Sequence, residues 1–201
     1  MGCQLRSIFV AALFGGIVFA QSPTLVNPDF EQGQPGERPL GWLFGFGPKL
    51  GYSALTVTDV CNSGKQCAMI RSNDPVGPQG HSFLYQYVYA KPYRGMKFRF
   101  RAAVRTSVSG LPNGAGLLVR IHREGGGSCF LDNMSERRFT VRDWAFYEIT
   151  GEVCADAHDL ELGVQLWGSG AAWADHATLV FAGPGADLLP KMTSATGRPN
   201  E

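Results

Sequence analysis

The chain has 201 residues, 18 Lys and Arg against 17 Asp and Glu, a net charge of +1 and 44% hydrophobic residues. So even a balance excludes a nucleic-acid or membrane-surface partner recruited by bulk charge, while 26 glycines and 12 prolines point to short strands and turns rather than long helices. The length predicts one domain.

Residues 1–20 read as a secretory signal peptide: Arg6 supplies a positive start, Ile8–Phe19 is apolar, and Val18-Phe19-Ala20 ends the run with small residues at the cleavage positions. The expected location is therefore secreted or periplasmic. No later apolar stretch reaches the ~18 residues of a bilayer span, so no membrane span is expected in the mature chain. Removing the leader leaves about 180 residues, enough to bury a core.

Four cysteines follow the leader: Cys61, Cys67, Cys129 and Cys154. An even number in an exported chain reads as disulfides. Three pairings are open. Cys61–Cys67 with Cys129–Cys154 is favoured, because the first closes the short Asn62-Ser63-Gly64-Lys65 turn and the second would join two sheet strands.

In chain order, a short strand is predicted at Val26–Glu31, then strands at Tyr52–Val60, Gln66–Arg71, Phe83–Ala90, Lys97–Thr106, Ala115–His122 and Asp143–Thr150. Cys129–Glu136 reads as irregular. The stretch Asp159–Phe181 reads as two strands joined by a tight Gly168-Ser169-Gly170 turn. In its first half Leu160, Leu162, Val164 and Leu166 alternate with Glu161, Gly163, Gln165 and Trp167, the period of a strand with one buried face. Around nine short strands and no long helix predict an all-β fold, a two-sheet antiparallel β-sandwich of jelly-roll type over residues 21–183. Residues 184–201 are predicted to be a disordered tail.

The run NPDFE, a Gly-Trp pair, NSGKQCAMI, LYQYV, a Pro-Tyr-Arg-Gly turn, DWAFYEI and WADHATL, spread over Leu25–Phe181, resembles the galactose-binding-like jelly rolls. It is similar to carbohydrate-binding modules of the xylan- and glucan-binding kind, and to modules placed before bacterial hydrolase or peptidase domains. The resemblance implies a structural calcium near the first and last strands. Carried over by position, its side-chain ligands are Glu31 and Asp175, with backbone carbonyls near Ser63–Lys65 helping. His176 stands where the family's closing motif has a second acid.

Alternation also assigns faces. Leu84 and Val88 point to the core, so Tyr85 and Tyr87 point out and Gln86 points in, where it needs hydrogen-bond partners. The same reasoning turns Arg101, Arg105, Arg120, His122, Gln165 and Trp167 outward. If these strands share one sheet, its open face carries all eight residues. Aromatic faces stack on pyranose C–H bonds, and Arg and Gln hydrogen-bond hydroxyls; an arginine cluster would favour acidic sugars. The expected function is a secreted, non-catalytic module binding a poly- or oligosaccharide. The alternative is an extracytoplasmic protein-interaction or structural domain, paired with an envelope or secreted protein. No G-x-S-x-G, H-E-x-x-H or phosphate loop is present, and neither the histidines nor the glutamates are spaced for catalysis, so no enzyme is expected.

Overall fold

The structure is a computed structural model that describes residues 25–46, 48–77, 79–183 and 188. The expected signal peptide and, Leu188 apart, the expected tail lie outside the described residues. Ten strands form: β1 (Leu43–Gly45), β2 (Tyr52–Val57), β3 (Cys67–Ser72), β4 (His81–Tyr89), β5 (Lys97–Ser107), β6 (Gly114–Arg123), β7 (Ser128–Asp132), β8 (Ala145–Glu152), β9 (Ala157–Trp167) and β10 (Ala171–Ala182). They build two five-stranded sheets, in the orders β1-β4-β9-β6-β7 and β2-β3-β10-β5-β8. Every strand pairing is antiparallel. The all-β sandwich expected from the alternation is the fold observed.

The core lies between the sheets and takes one residue in two from each strand. Leu84 and Val88 of β4, Phe98, Phe100 and Val104 of β5, Leu117, Val119 and Ile121 of β6, and Leu160, Leu162, Val164 and Leu166 of β9 all face inward. Tyr93 closes one end, stacked flat on Phe181 at 3.9 Å. Burying each of these large side chains contributes roughly 1.5–3 kcal/mol.

Three sequence expectations change. The Asp159–Phe181 stretch is not a hairpin: β9 lies at the centre of one sheet and β10 at the centre of the other, so Gly168–Gly170 carries the chain from sheet to sheet. The corner is tied from several directions. The Tyr52 hydroxyl donates to the Gly168 carbonyl at 2.8 Å, Ser72 N–H donates to the Gly170 carbonyl, and Gly170 N–H donates to Ser72 Oγ. Second, Val26–Glu31 is not a strand. Asn27 and Phe30 take positive φ, and the Asn27 side chain bonds the backbone of Gln32 and Leu40, a local satisfaction that competes with strand pairing. Phe30 packs on Trp42 at 4.8 Å inside the core. Third, part of Cys129–Glu136 does pair, giving edge strand β7.

Gln86 does point inward. Its Oε1 accepts from Val26 N–H and its Nε2 donates to the Val26 carbonyl. The favoured cysteine pairing is also present: Cys61–Cys67 and Cys129–Cys154, with Cα separations of 5.4 and 6.6 Å. The second joins β7, an edge of one sheet, to the chain two residues past β8, an edge of the other.

Two outcomes follow. Burial pushes the Tyr52 phenol up to about 12. A proton held more tightly in the folded state stabilises it fully below the unfolded value near 10 and loses that effect as pH rises to about 12. Tyr52→Phe should therefore cost about 1 kcal/mol at neutral pH and flatten part of the alkaline loss of stability, read from urea unfolding at stepped pH. Replacing Cys129 and Cys154 by Ala should cost about 2–4 kcal/mol by the same measurement.

Candidate functional site: an aromatic row beside a buried carboxylate

The outer face of the β1-β4-β9-β6-β7 sheet is built around β4. Phe83, Tyr85 and Tyr87 leave the strand on the solvent side, two residues apart each. Their rings are in contact, at 4.8 Å for Phe83–Tyr85 and 5.4 Å for Tyr85–Tyr87, and Phe46 extends the row at 5.5 Å from Phe83. Cross-strand register places Tyr85 opposite Gly163 and Tyr87 opposite Glu161 of β9. A Cβ at Gly163 would stand 2.0 Å from the Leu84 carbonyl oxygen, so only glycine lets β9 lie this close to the row.

Glu161 is the floor of the face. It is 3% exposed, with Tyr87 in register on one side and Arg120 of β6 on the other. Its Oε2 lies 3.1 Å from His122 Nε2 and 3.5 Å from Arg120 Nη1. A carboxylate this buried requires such partners, because an unpaired charge out of water is costly. The Tyr87 phenol, itself 51% exposed, is pushed up to about 12, first by desolvation and then by the Glu161 charge. It stays a neutral hydroxyl able to donate and accept. Beyond Tyr87 the face deepens into a cleft of about 400 Å³ lined by Tyr87, His122, His158, Asp159 and the Gly126–Gly127 turn. His158 Nδ1 sits 2.6 Å from Asp159 Oδ2. The rim is held by Arg123–Asp156 and Arg94–Glu124, each at 2.6 Å.

Of the eight residues that alternation turns outward, Tyr85, Tyr87, Arg120 and His122 come together here. Gln165 and Trp167 are on this face, yet both are covered. Trp167 is 4% exposed, with the Arg138 guanidinium 4.6 Å over its ring. The segment after β7 crosses close above Gly116, where a Cβ would meet Asn133 O and Trp167 Cζ3 at 2.9 Å. Arg101 and Arg105 are not on this face at all. They belong to β5, in the other sheet, because alternation gives a side chain's direction relative to its own sheet and not the sheet to which the strand belongs. Glu161, Phe83 and the His158–Asp159 pair were not singled out from sequence. Phe83 and Glu161 share the alternation phase of Tyr85 and Gln165, which was the available signal.

The pair expected to hold calcium lies elsewhere, around the Asn62–Gln66 turn. A bulge in β10 between Asp175 and Thr178, with His176 at φ 51°, aims Asp175 at that turn. Asp175 is fully buried. Its Oδ2 accepts from Ser63 N–H and Oγ, and its Oδ1 from His176 N–H. Burial pushes its carboxyl above the ordinary range, and these bonds pull it back. Glu31 Oε1 accepts from the N–H groups of Lys65 and Gln66. A calcium cage needs six to eight oxygens. Here the carboxylates meet N–H donors, and among the described residues no three His, Cys, Asp or Glu side chains converge for a metal. The side chains present do not by themselves build that cage. Asp175→Ala should cost about 3 kcal/mol, since it strips a charged acceptor from buried N–H groups. Melting with and without a chelator decides the calcium expectation: a fall restored by calcium shows that this turn holds the ion, and an unchanged melting temperature shows that the N–H donors alone satisfy the carboxylates.

No protein-family model matches the chain. A curated relative, an uncharacterised HTH-type transcriptional regulator of Bacillus subtilis, is 31% identical over 94 residues. That stretch is 46% of this chain, and the chain spans only 31% of the relative's length. Among solved structures, a family 16 carbohydrate-binding module superimposes with a TM-score of 0.54 at 18% identity, covering 77% of this chain and 97% of that one. The CBM22-1 xylan-binding domain of Paenibacillus barcinonensis Xyn10C gives 0.55 at 13% identity, covering 86% and 99%. A further family 22 xylan-binding domain gives 0.55 at 12%, covering 87% and 99%. The chain has the jelly-roll fold of these carbohydrate-binding modules. At such identities the likeness is one of fold, and ligands have to be argued from this chain's own residues.

Proposed function

We propose that this is a secreted, non-catalytic carbohydrate-binding domain that holds a neutral poly- or oligosaccharide along the aromatic row of β4. The observation that carries the reading is the line of Phe83, Tyr85 and Tyr87 rings running into the His122–Glu161–Arg120 network. Aromatic faces receive the apolar faces of sugar rings. The Tyr87 hydroxyl and the imidazole and guanidinium edges beside it offer fixed hydrogen bonds to ring hydroxyls. The fold shared with carbohydrate-binding modules supports the reading, as do two disulfides, which suit an oxidising compartment.

Neutral sugars fit this face better than acidic ones. Arg120, the cation at its centre, faces the buried Glu161, and Arg101 and Arg105 are on the opposite sheet. A sugar carboxylate laid here would meet Glu161 and Asp159, and like charges at close range repel. The same pairing speaks against catalysis. Glu161 is held by His122 and Arg120, which leaves it paired rather than placed as a free acid or base.

A glycan array of neutral plant and bacterial oligosaccharides, followed by calorimetry on the best ligand, tests the proposal. Binding should be enthalpically favourable and should weaken at least about tenfold in Tyr85→Ala or Tyr87→Ala, with each lost stack worth about 1–1.5 kcal/mol or more. Trp167→Ala should act through stability instead, because that ring is already covered. Retention of no glycan on the array, or tyrosine variants that bind as the parent does, would sink the reading.

A further inference from the structure

The two arginines that leave the aromatic face are part of a second surface. The outer face of the β2-β3-β10-β5-β8 sheet has its own line of cations along β5, where Lys97, Arg99, Arg101 and Arg105 turn outward. Arg71 of β3 stands one row from Arg105 across Ala171. Only Glu148 and Glu152 of β8 oppose them in register, at Arg101 and Lys97. Among the described residues none of these five cations is in an ion pair within 4.0 Å; every such pair belongs to Arg94, Arg120, His122, Arg123, Arg137 or His158.

The guanidinium groups are nonetheless held in place. Arg101 lies 3.8 Å over the Phe146 ring and Arg105 5.2 Å over the Trp173 ring. Stacking on an aromatic face fixes the plane of an arginine and leaves its edge free to fork onto a carboxylate.

We propose that this face is a second binding site, for a linear polysaccharide bearing carboxylates, a polyuronate, lying along β5. Lys97 to Arg101 spans about 14 Å at the rise of an extended strand, the reach of a few sugar units and not of a single small anion, and the track ends where the Val60–Ser63 segment, bonded to Trp144 and Asp175, covers Ala103. The charges are spaced singly and interrupted by Glu148 and Glu152, which suits sparse carboxylates better than the dense phosphates of nucleic acid or an anionic membrane. Phe146, 43% exposed, carries the Arg101 guanidinium on its face and so fixes the cation toward solvent. The two faces then divide the labour by charge: a carboxylate-floored face for neutral sugar and an arginine-lined face for acidic sugar.

The test is affinity electrophoresis and calorimetry with polygalacturonate, using the full protein. The parent should bind at low salt, and binding should weaken as salt rises. An Arg99→Gln/Arg101→Gln double variant should lose at least about tenfold in affinity, while Tyr85→Ala/Tyr87→Ala should bind polygalacturonate as the parent does, which separates this site from the aromatic row. If the double variant melts early, Arg101→Lys, which keeps the charge and loses the fork, takes its place with a loss of several-fold. The proposal is overturned by no binding at low salt, by variants of β5 that bind like the parent, or by polyglutamate or duplex DNA bound as tightly as polygalacturonate.

Discussion

The sandwich depends on one corner. Gly168–Gly170 takes the chain out of the middle of one sheet and into the middle of the other, so the central strands of the two sheets are covalently adjacent. Each is paired on both sides, β9 with β4 and β6, β10 with β3 and β5. An error at the corner would therefore propagate into both sheets, since a shift of one residue turns every side chain of a strand to the wrong face. Tyr52 at the start of β2 and Ser72 at the end of β3 bond this turn from one sheet, and Asn113, just before β6, accepts from Ser169 N–H on the side of the other.

Placing β9 at the centre of its sheet also determines the character of the aromatic face. A central strand has no open edge, so its outward residues sit under the side chains of both neighbours. That is why Glu161 is buried although it faces away from the core, and why it must be neutralised from β6. Gln165 and Trp167, further along the same strand, are buried by a different element, the segment that follows β7. Around Glu161 the face is open where β4 and the β6–β7 turn leave room, between Tyr85 and His158.

The fold was legible because one-in-two hydrophobicity is written strongly in β4, β5, β6 and β9, and a sandwich is the simple way to bury so many half-apolar strands. Directions in or out were legible too: Leu84, Gln86 and Val88 point inward, and Tyr85, Tyr87, Arg120 and His122 point outward. Sheet membership was not. Arg101 and Tyr85 have the same phase in equally clear strands, and nothing local says that one joins β10 and the other β9. The N-terminal segment misled for a related reason, since Asn27 satisfies backbone groups locally and frees the segment from any ladder. The cover over Trp167 is set by a loop with no period to read.

Gln86 has a consequence for how this sandwich can vary. Its amide carries one acceptor and one donor and presents both to the backbone of Val26, in effect a peptide group delivered by a side chain. An irregular segment is thereby docked inside the barrel-like end of the sandwich with strand-like bonding and without strand-like geometry. The chain between Val26 and β1 is released from the rule that successive residues alternate. It can lengthen, shorten or change composition around the fixed points Asn27, Phe30 and Trp42 without disturbing the pairing of β4. The amide works as a clamp for a part outside the ladder of β4, while Gly36 and Glu37, whose backbone bonds Thr56 of β2 in both directions, hold the far side of that loop, so sequence drift should gather in the residues between these two anchors.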